Sequence, residues 1–146
     1  MSRVIFLDFD GVLHATVGPA QVMRQFVWLP VLWELLDPHP DVRLVVHASA
    51  RQNSPADFLR DRLGVPASRW AGVTPPRLSR WPSIQAWLRE HPETIQFRVL
   101  DDQAAEFPDP PPAELILCAG RTGVSDTDVQ RRLASWLHES QGLMQP

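Results

Sequence analysis

Residues 4–13, VIFLDFDGVL, decide the architecture. The run from Val4 to Phe9 is rich in strand formers and apolar on both faces, which predicts a strand buried on two sides, as in a parallel sheet. Asp8 and Asp10 interrupt it, and Gly11 follows at once. Two apart in an extended chain, these aspartates share one face, where their charges repel unless a cation lies between them. A solvated turn carries such a pair equally well. What distinguishes this one is its setting, with Ile5, Phe6 and Leu7 before it and Val12 and Leu13 after it, because acids sunk in apolar sequence need a partner.

Three further runs repeat the pattern: Val42–Val46, Phe97–Leu100 and Leu115–Leu117. Segments of helical spacing separate them. Leu32, Leu35 and Leu36 follow Pro30, and Phe58, Leu59 and Leu63 follow Ser54-Pro55 and stop at Gly64. Ile84, Trp87 and Leu88 follow Ser83, and Val129, Leu133, Trp136 and Leu137 follow Ser125-Asp126. Strands alternating with helices predict a single α/β domain over residues 1–146, a three-layer sandwich around a mostly parallel sheet. The proline-rich 108–112 stretch reads as a stiff surface loop, not a boundary.

In such sheets ligands sit beyond the carboxyl ends of the strands. Asp8 and Asp10, Ser49 and Arg51, Asp101 and Asp102, and Arg121 all collect there. Two acid pairs at one sheet edge make an oxygen-rich environment suited to a hard divalent cation, Mg²⁺ above all.

Composition narrows the alternatives. The 146 residues carry a formal charge of −3, and all 14 basic residues are arginine. That balance argues against a dedicated nucleic-acid coat while leaving room for a small basic patch. The single cysteine, Cys118, rules out an internal disulfide and a thiolate-rich zinc site. No apolar run approaches the roughly 18–20 residues of a membrane span. Two carboxylates by residue 10 do not suit a secretory leader, so a cytoplasmic protein is expected. Neither a phosphate-binding Gly-x-x-x-x-Gly-Lys loop nor a Gly-x-Gly-x-x-Gly fingerprint occurs.

FLDFDGVL resembles the first motif of the haloacid dehalogenase-like (HAD) hydrolases, Asp-x-Asp-Gly after a buried strand. VVHASAR resembles the second, with Ser49 closing its strand, and VLDD (Val99–Asp102) resembles the fourth. The third motif is a basic residue, usually lysine, at the head of a helix; Arg80 is the best match, with Arg77 and Arg51 as rivals. The four occur in order along most of the chain. The resemblance implies a Rossmann-like fold and a phosphatase in which Asp8 attacks phosphorus to give an aspartyl-phosphate. Asp10 would protonate the leaving group and then activate water, its neighbouring carboxylates helping it to hold a proton. Mg²⁺ would be held by the Asp8 carboxylate, the Asp10 backbone carbonyl and Asp102, with Asp101 as second choice. Ser49 and Arg80 would bind the phosphoryl oxygens. Arginine for lysine is a departure, because guanidinium is bulkier, planar and grips phosphate through two bonds.

Residues 11–48 and 50–79 are each too short to hold a large cap domain beside their expected helices. An uncapped site is open to bulky phosphorylated substrates such as a nucleic-acid end or a phosphoprotein, with small esters also admitted; which substrate it takes is not set by the sequence. Two other readings are a module that recognises phosphate without turnover and a nucleic-acid end-processing phosphatase. For the latter, Trp28, Trp70 and Trp81, in connecting segments, are candidates for the mouth or for stacking a base. Trp33, Trp87 and Trp136 read as core. His47 reads as a structural residue, and His14 is open between structure and substrate contact. Arg51, Arg77 and Arg121 are candidates for a basic rim.

Overall fold

Five strands pair in parallel in the order β3-β2-β1-β4-β5: β1 (Ser2–Leu7), β2 (Val42–Val46), β3 (Trp70–Val73), β4 (Thr94–Asp101) and β5 (Leu115–Leu117). The structure, a computed structural model, describes residues 2–142. Helices α1 (Ala20–Met23), α2 (Leu29–Leu36), α3 (Ala56–Leu63), α4 (Arg80–Glu90) and α5 (Thr127–Gln141) connect and follow the strands. This is the Rossmann-like α/β class expected from the alternation, and among the described residues no cap covers the sheet edge. Among the described residues no helix is long and apolar enough to cross a membrane.

Period-two alternation divides β1 between two cores. Ile5 and Leu7 pack with Leu44, Val46, Leu100 and the apolar faces of α2, α3 and α5. Val4 and Phe6 point the other way, against Val45, Val99, Ile84 and Trp87. Phe6 meets Trp87 and Phe97 edge-on, with centroids 5.4 and 5.7 Å apart. Each such pair adds about 0.5–1.5 kcal/mol beyond burial. The chain moves outward from β1 to β2 to β3, then jumps back across β1 to β4. Right-handed crossovers put helices on opposite faces when the direction reverses. Hence α4 alone faces the Phe6 side, and the order switches between β1 and β4, where ligands of such sheets bind.

Two local readings need correction. The edge strand β3 was not expected: WAGV has a glycine at its centre and lies half-buried along its length, so neither alternation nor an apolar run marks it. Trp70 therefore sits in a strand, not in a connecting segment. Helix α4 begins at Arg80, three residues before the expected Ser83. Ser83 is instead buried inside it, with Oγ 2.7 Å from the Arg80 carbonyl and 2.9 Å from Thr74 Oγ1. Gly64 does end α3, at φ 69°, a left-handed cap.

Candidate active site

Asp8 continues the parity of Val4 and Phe6, and Asp101 that of Val99, so both carboxylates emerge on the α4 side of the sheet. The ladder carries them: Asp8 N–H donates to the Leu100 carbonyl at 3.1 Å, and Cys118 N–H to that of Asp101 at 2.8 Å. Asp8 is 2 % exposed and Asp101 fully buried. Each can offer an oxygen, as can Asp102, within 4.8 Å of the others. Gly11 makes the close approach possible. At φ 77° it holds a conformation that L side chains avoid, and a Cβ there would lie 2.1 Å from Asp102 Oδ2.

Arg80, in the first turn of α4, answers these charges. Its Nη1 donates to Asp8 Oδ2 at 2.9 Å and to Asp101 Oδ1 and Oδ2 at 2.8 and 3.0 Å. Its Nη2 donates to Ser49 Oγ at 3.1 Å. The rivals lie elsewhere. Arg51 is buried, and its Nη1 and Nη2 donate to the backbone carbonyls of His47, Ala48 and Leu78. Arg77 and Arg121 are exposed.

The two acids of the second pair differ in what they have left to give. Asp101 accepts from Arg80, from Gln103 N–H at 2.8 Å and from His47 Nε2 at 2.7 Å. Burial alone would raise its pKa, but these donors together outweigh it and hold the carboxyl below its usual range. Apart from its contact with the Asp8 carboxyl, Asp102 accepts only a 3.4 Å bond from Gln103 Nε2, so it is less engaged than Asp101. Burial and the charge of Asp101 push its pKa up. His47 is fully buried, which keeps it neutral, and its Nε2–H holds Asp101 in place, the structural part expected of it.

Asp8 shows the imbalance most clearly. Desolvation first, and then the Asp101 charge, raise its pKa to about 8 despite Arg80. Arg80 pairs with two of the three clustered carboxylates and leaves Asp102 without a cation, so the cluster is short of positive charge. The donors are all hard carboxylate oxygens, so the set fits a divalent cation of the Mg²⁺ kind.

Asp10 behaves differently from the deeply embedded acid that its sequence suggested. Its side chain is 80 % exposed and is not among the clustered carboxylates. Oδ1 lies 2.7 Å from His14 Nε2. The Phe26 N–H donates to His14 Nδ1 at 3.3 Å, so Nδ1 is the acceptor and Nε2 carries the hydrogen. Phe26 sits at φ 60°, a costly conformation for a bulky residue and one that aims its amide at His14. The partner of Asp10 is thus a histidine left open between two readings, fixed by a strained turn that no sequence pattern announced.

A pocket of about 250 Å³ opens over these groups, lined by Asp8, Asp10, His14, Ser49, Arg80 and also Gln25, which sequence reasoning missed. None of the six tryptophans lines it. Trp28 is buried in the larger core, Trp81 packs on Phe107 at 6.0 Å, and Trp70 lies on β3.

This constellation at a β1/β4 switch point has a counterpart among known families. Residues 4–129 match the family described as the HAD domain in Swiss Army Knife RNA repair proteins. The chain belongs to this family. No curated protein and no solved structure matches it. The matched span of the HAD domain takes in β1 through the start of α5, and so includes every residue of the pocket.

Proposed function

We propose that this HAD domain is a divalent-cation-dependent phosphohydrolase that removes a terminal phosphate from a nucleic-acid end. The observation that carries this reading is the placement of Asp8. It lies at the switch point beside two further carboxylates, clamped by Arg80 and open to a pocket shared with Ser49 and Asp10. The membership in a domain of RNA repair proteins supports the nucleic-acid end, and the uncapped edge admits one.

Asp8, Asp102 and the backbone carbonyl of Asp10 would hold the cation, with Asp101 behind them. When bound, such an ion neutralises charge between nucleophile and phosphate. Everything else falls to the chain's own residues. One Asp8 oxygen attacks phosphorus, and the bond to the leaving oxygen breaks as Asp10 gives that oxygen a proton. His14 donates to Asp10 Oδ1, which leaves Oδ2 for the proton in transit. Arg80 and Ser49, already hydrogen-bonded to one another, present N–H and O–H donors to the phosphoryl oxygens. Asp10 then takes a proton from water, which attacks the aspartyl-phosphate and frees Asp8.

The test compares hydrolysis of an aryl phosphate and of oligonucleotides phosphorylated at the 3′ or the 5′ end, with Mg²⁺, by the native protein and Asp8→Asn. The expected result is turnover that chelator and Asp8→Asn both abolish, with an oligonucleotide preferred over the aryl ester. Binding of phosphorylated ends with no turnover on any of these substrates would favour recognition without catalysis.

A further inference from the structure

A second cavity adjoins the pocket over Asp8. It measures about 170 Å³ and shares Phe9, Gln25 and Ala50 with that pocket, so the two form one groove. Its far end is made by Phe58 and Arg62 of α3. The spacing of Phe58 beside Leu59 and Leu63 predicts a core residue, yet it is 48 % exposed while the two leucines are buried. Arg62, one turn on, lies over that ring at 5.7 Å and reaches the side chain of Gln25. The floor is aromatic as well, with Phe9 and Phe26 packed edge to face at 5.1 Å.

We infer that this groove is a nucleoside subsite, in which the base next to the scissile phosphate stacks on Phe58 and Arg62 meets the following phosphate. The inference rests on the phosphohydrolase reading for its direction and on the groove for its chemistry. Asp10, the proton donor to the leaving group, lines the pocket that Gln25 joins to this groove, and in the proposed orientation the leaving side of the ester lies toward Phe58. An exposed ring beside a guanidinium suits a base and its backbone, because every base has a face to stack and every phosphate a charge to neutralise. Gln25 stands at the junction with an amide able to hydrogen-bond a sugar or base edge. An acyl chain or a purely apolar peptide would give Arg62 no anion to meet.

The experiment measures binding to the Asp8→Asn protein of two short oligonucleotides that differ only in the terminal nucleotide. One carries 2-aminopurine there, the other an abasic sugar, and both bear the terminal phosphate. The expected result is affinity about tenfold higher for the oligonucleotide with the base, with 2-aminopurine fluorescence quenched on binding. Adding Phe58→Ala should bring that ratio close to unity and restore fluorescence, and Phe58→Trp should keep both. Arg62→Ala should lower the salt dependence of binding. Equal affinity for the two oligonucleotides, or a ratio indifferent to Phe58, would overturn the subsite. Because the ratio is read without turnover, it stands apart from the catalytic reading. Failure of the native protein to hydrolyse the same oligonucleotides would sink that reading alone.

Discussion

Asp8 shares its surroundings with Asp101 and Asp102, and the one guanidinium beside them, that of Arg80, pairs with Asp8 and Asp101 only. A carboxyl whose folded pKa is raised, here to about 8, costs the fold stability at neutral pH, where the unfolded chain would ionise it freely. Asp8→Asn should therefore raise the melting temperature of the cation-free protein by several degrees. The gain should fade as pH falls toward about 4, where the carboxyl is protonated in both states. Mg²⁺ should then raise the melting temperature of the native protein and leave that of Asp8→Asn nearly unmoved. Scanning calorimetry at several pH values, with and without the ion, checks both signs. His14 invites a different measurement, since its Nε2–H fixes the rotamer of Asp10. His14→Ala should slow hydrolysis of a nucleoside phosphate about tenfold or more, because an alkoxide leaving group needs its proton. An aryl phosphate, whose leaving group departs without one, should lose much less. Equal losses on the two esters would mean that His14 serves structure only.

At the scale of elements, the turn after β1 and the start of β1 carry the opposed demands of site and fold. Gly11→Ala would drive a methyl group into Asp102 and force a left-handed backbone on alanine. The expected outcome is loss of Mg²⁺ binding, read by calorimetric titration, together with a lower melting temperature. A variant that bound the ion normally would show that Asp102 has room the structure denies it. At the other end of β1, Arg3 is fully buried and donates to Asp41 Oδ1 and Oδ2 at 2.8 Å each, to the Leu137 carbonyl at 2.7 Å and to Ser140 Oγ at 3.0 Å. One side chain thus ties β1 to the loop before β2 and to α5. The Arg3 hydrogen bonds hold the Asp41 carboxyl below its usual range. Its contribution is therefore complete above the ordinary carboxylate pKa and lost as pH falls through the lower folded value. Asp41→Asn should cost about 1.5–3 kcal/mol at pH 7. It should also flatten the acid limb of the stability curve below about pH 4, which denaturant melts across pH will show.

For the molecule as a whole, the sheet was legible wherever burial on both faces left a continuous apolar run. That is why β1, β2, β4 and β5 stood out and the half-buried β3 did not. The spacing of Asp8 and Asp10 predicts a shared face, but β1 ends at Leu7 and the Asp10 carboxylate lies outside the cluster that Asp8 forms with Asp101 and Asp102. What lay beyond reach was set by contacts distant in sequence. Only the packing of α4 decides among Arg80, Arg77 and Arg51. Only the donors from His47, Gln103 and Arg80 show that Asp101 is more heavily engaged than Asp102. The exposure of Asp10 and Phe58 inverts what their neighbours predict, and both inversions fall in the groove where a substrate would lie. Function concentrates where local pattern and tertiary placement part company. The central claim is that Asp8 carries the phosphoryl group. Acid quenching during turnover of a phosphorylated oligonucleotide, followed by mass analysis of the peptide that contains residue 8, tests it most directly. The native protein should yield that peptide with one added phosphoryl group on Asp8, and Asp8→Asn should yield none and turn nothing over. Steady turnover with residue 8 unmodified, or hydrolysis that survives Asp8→Asn, would contradict it.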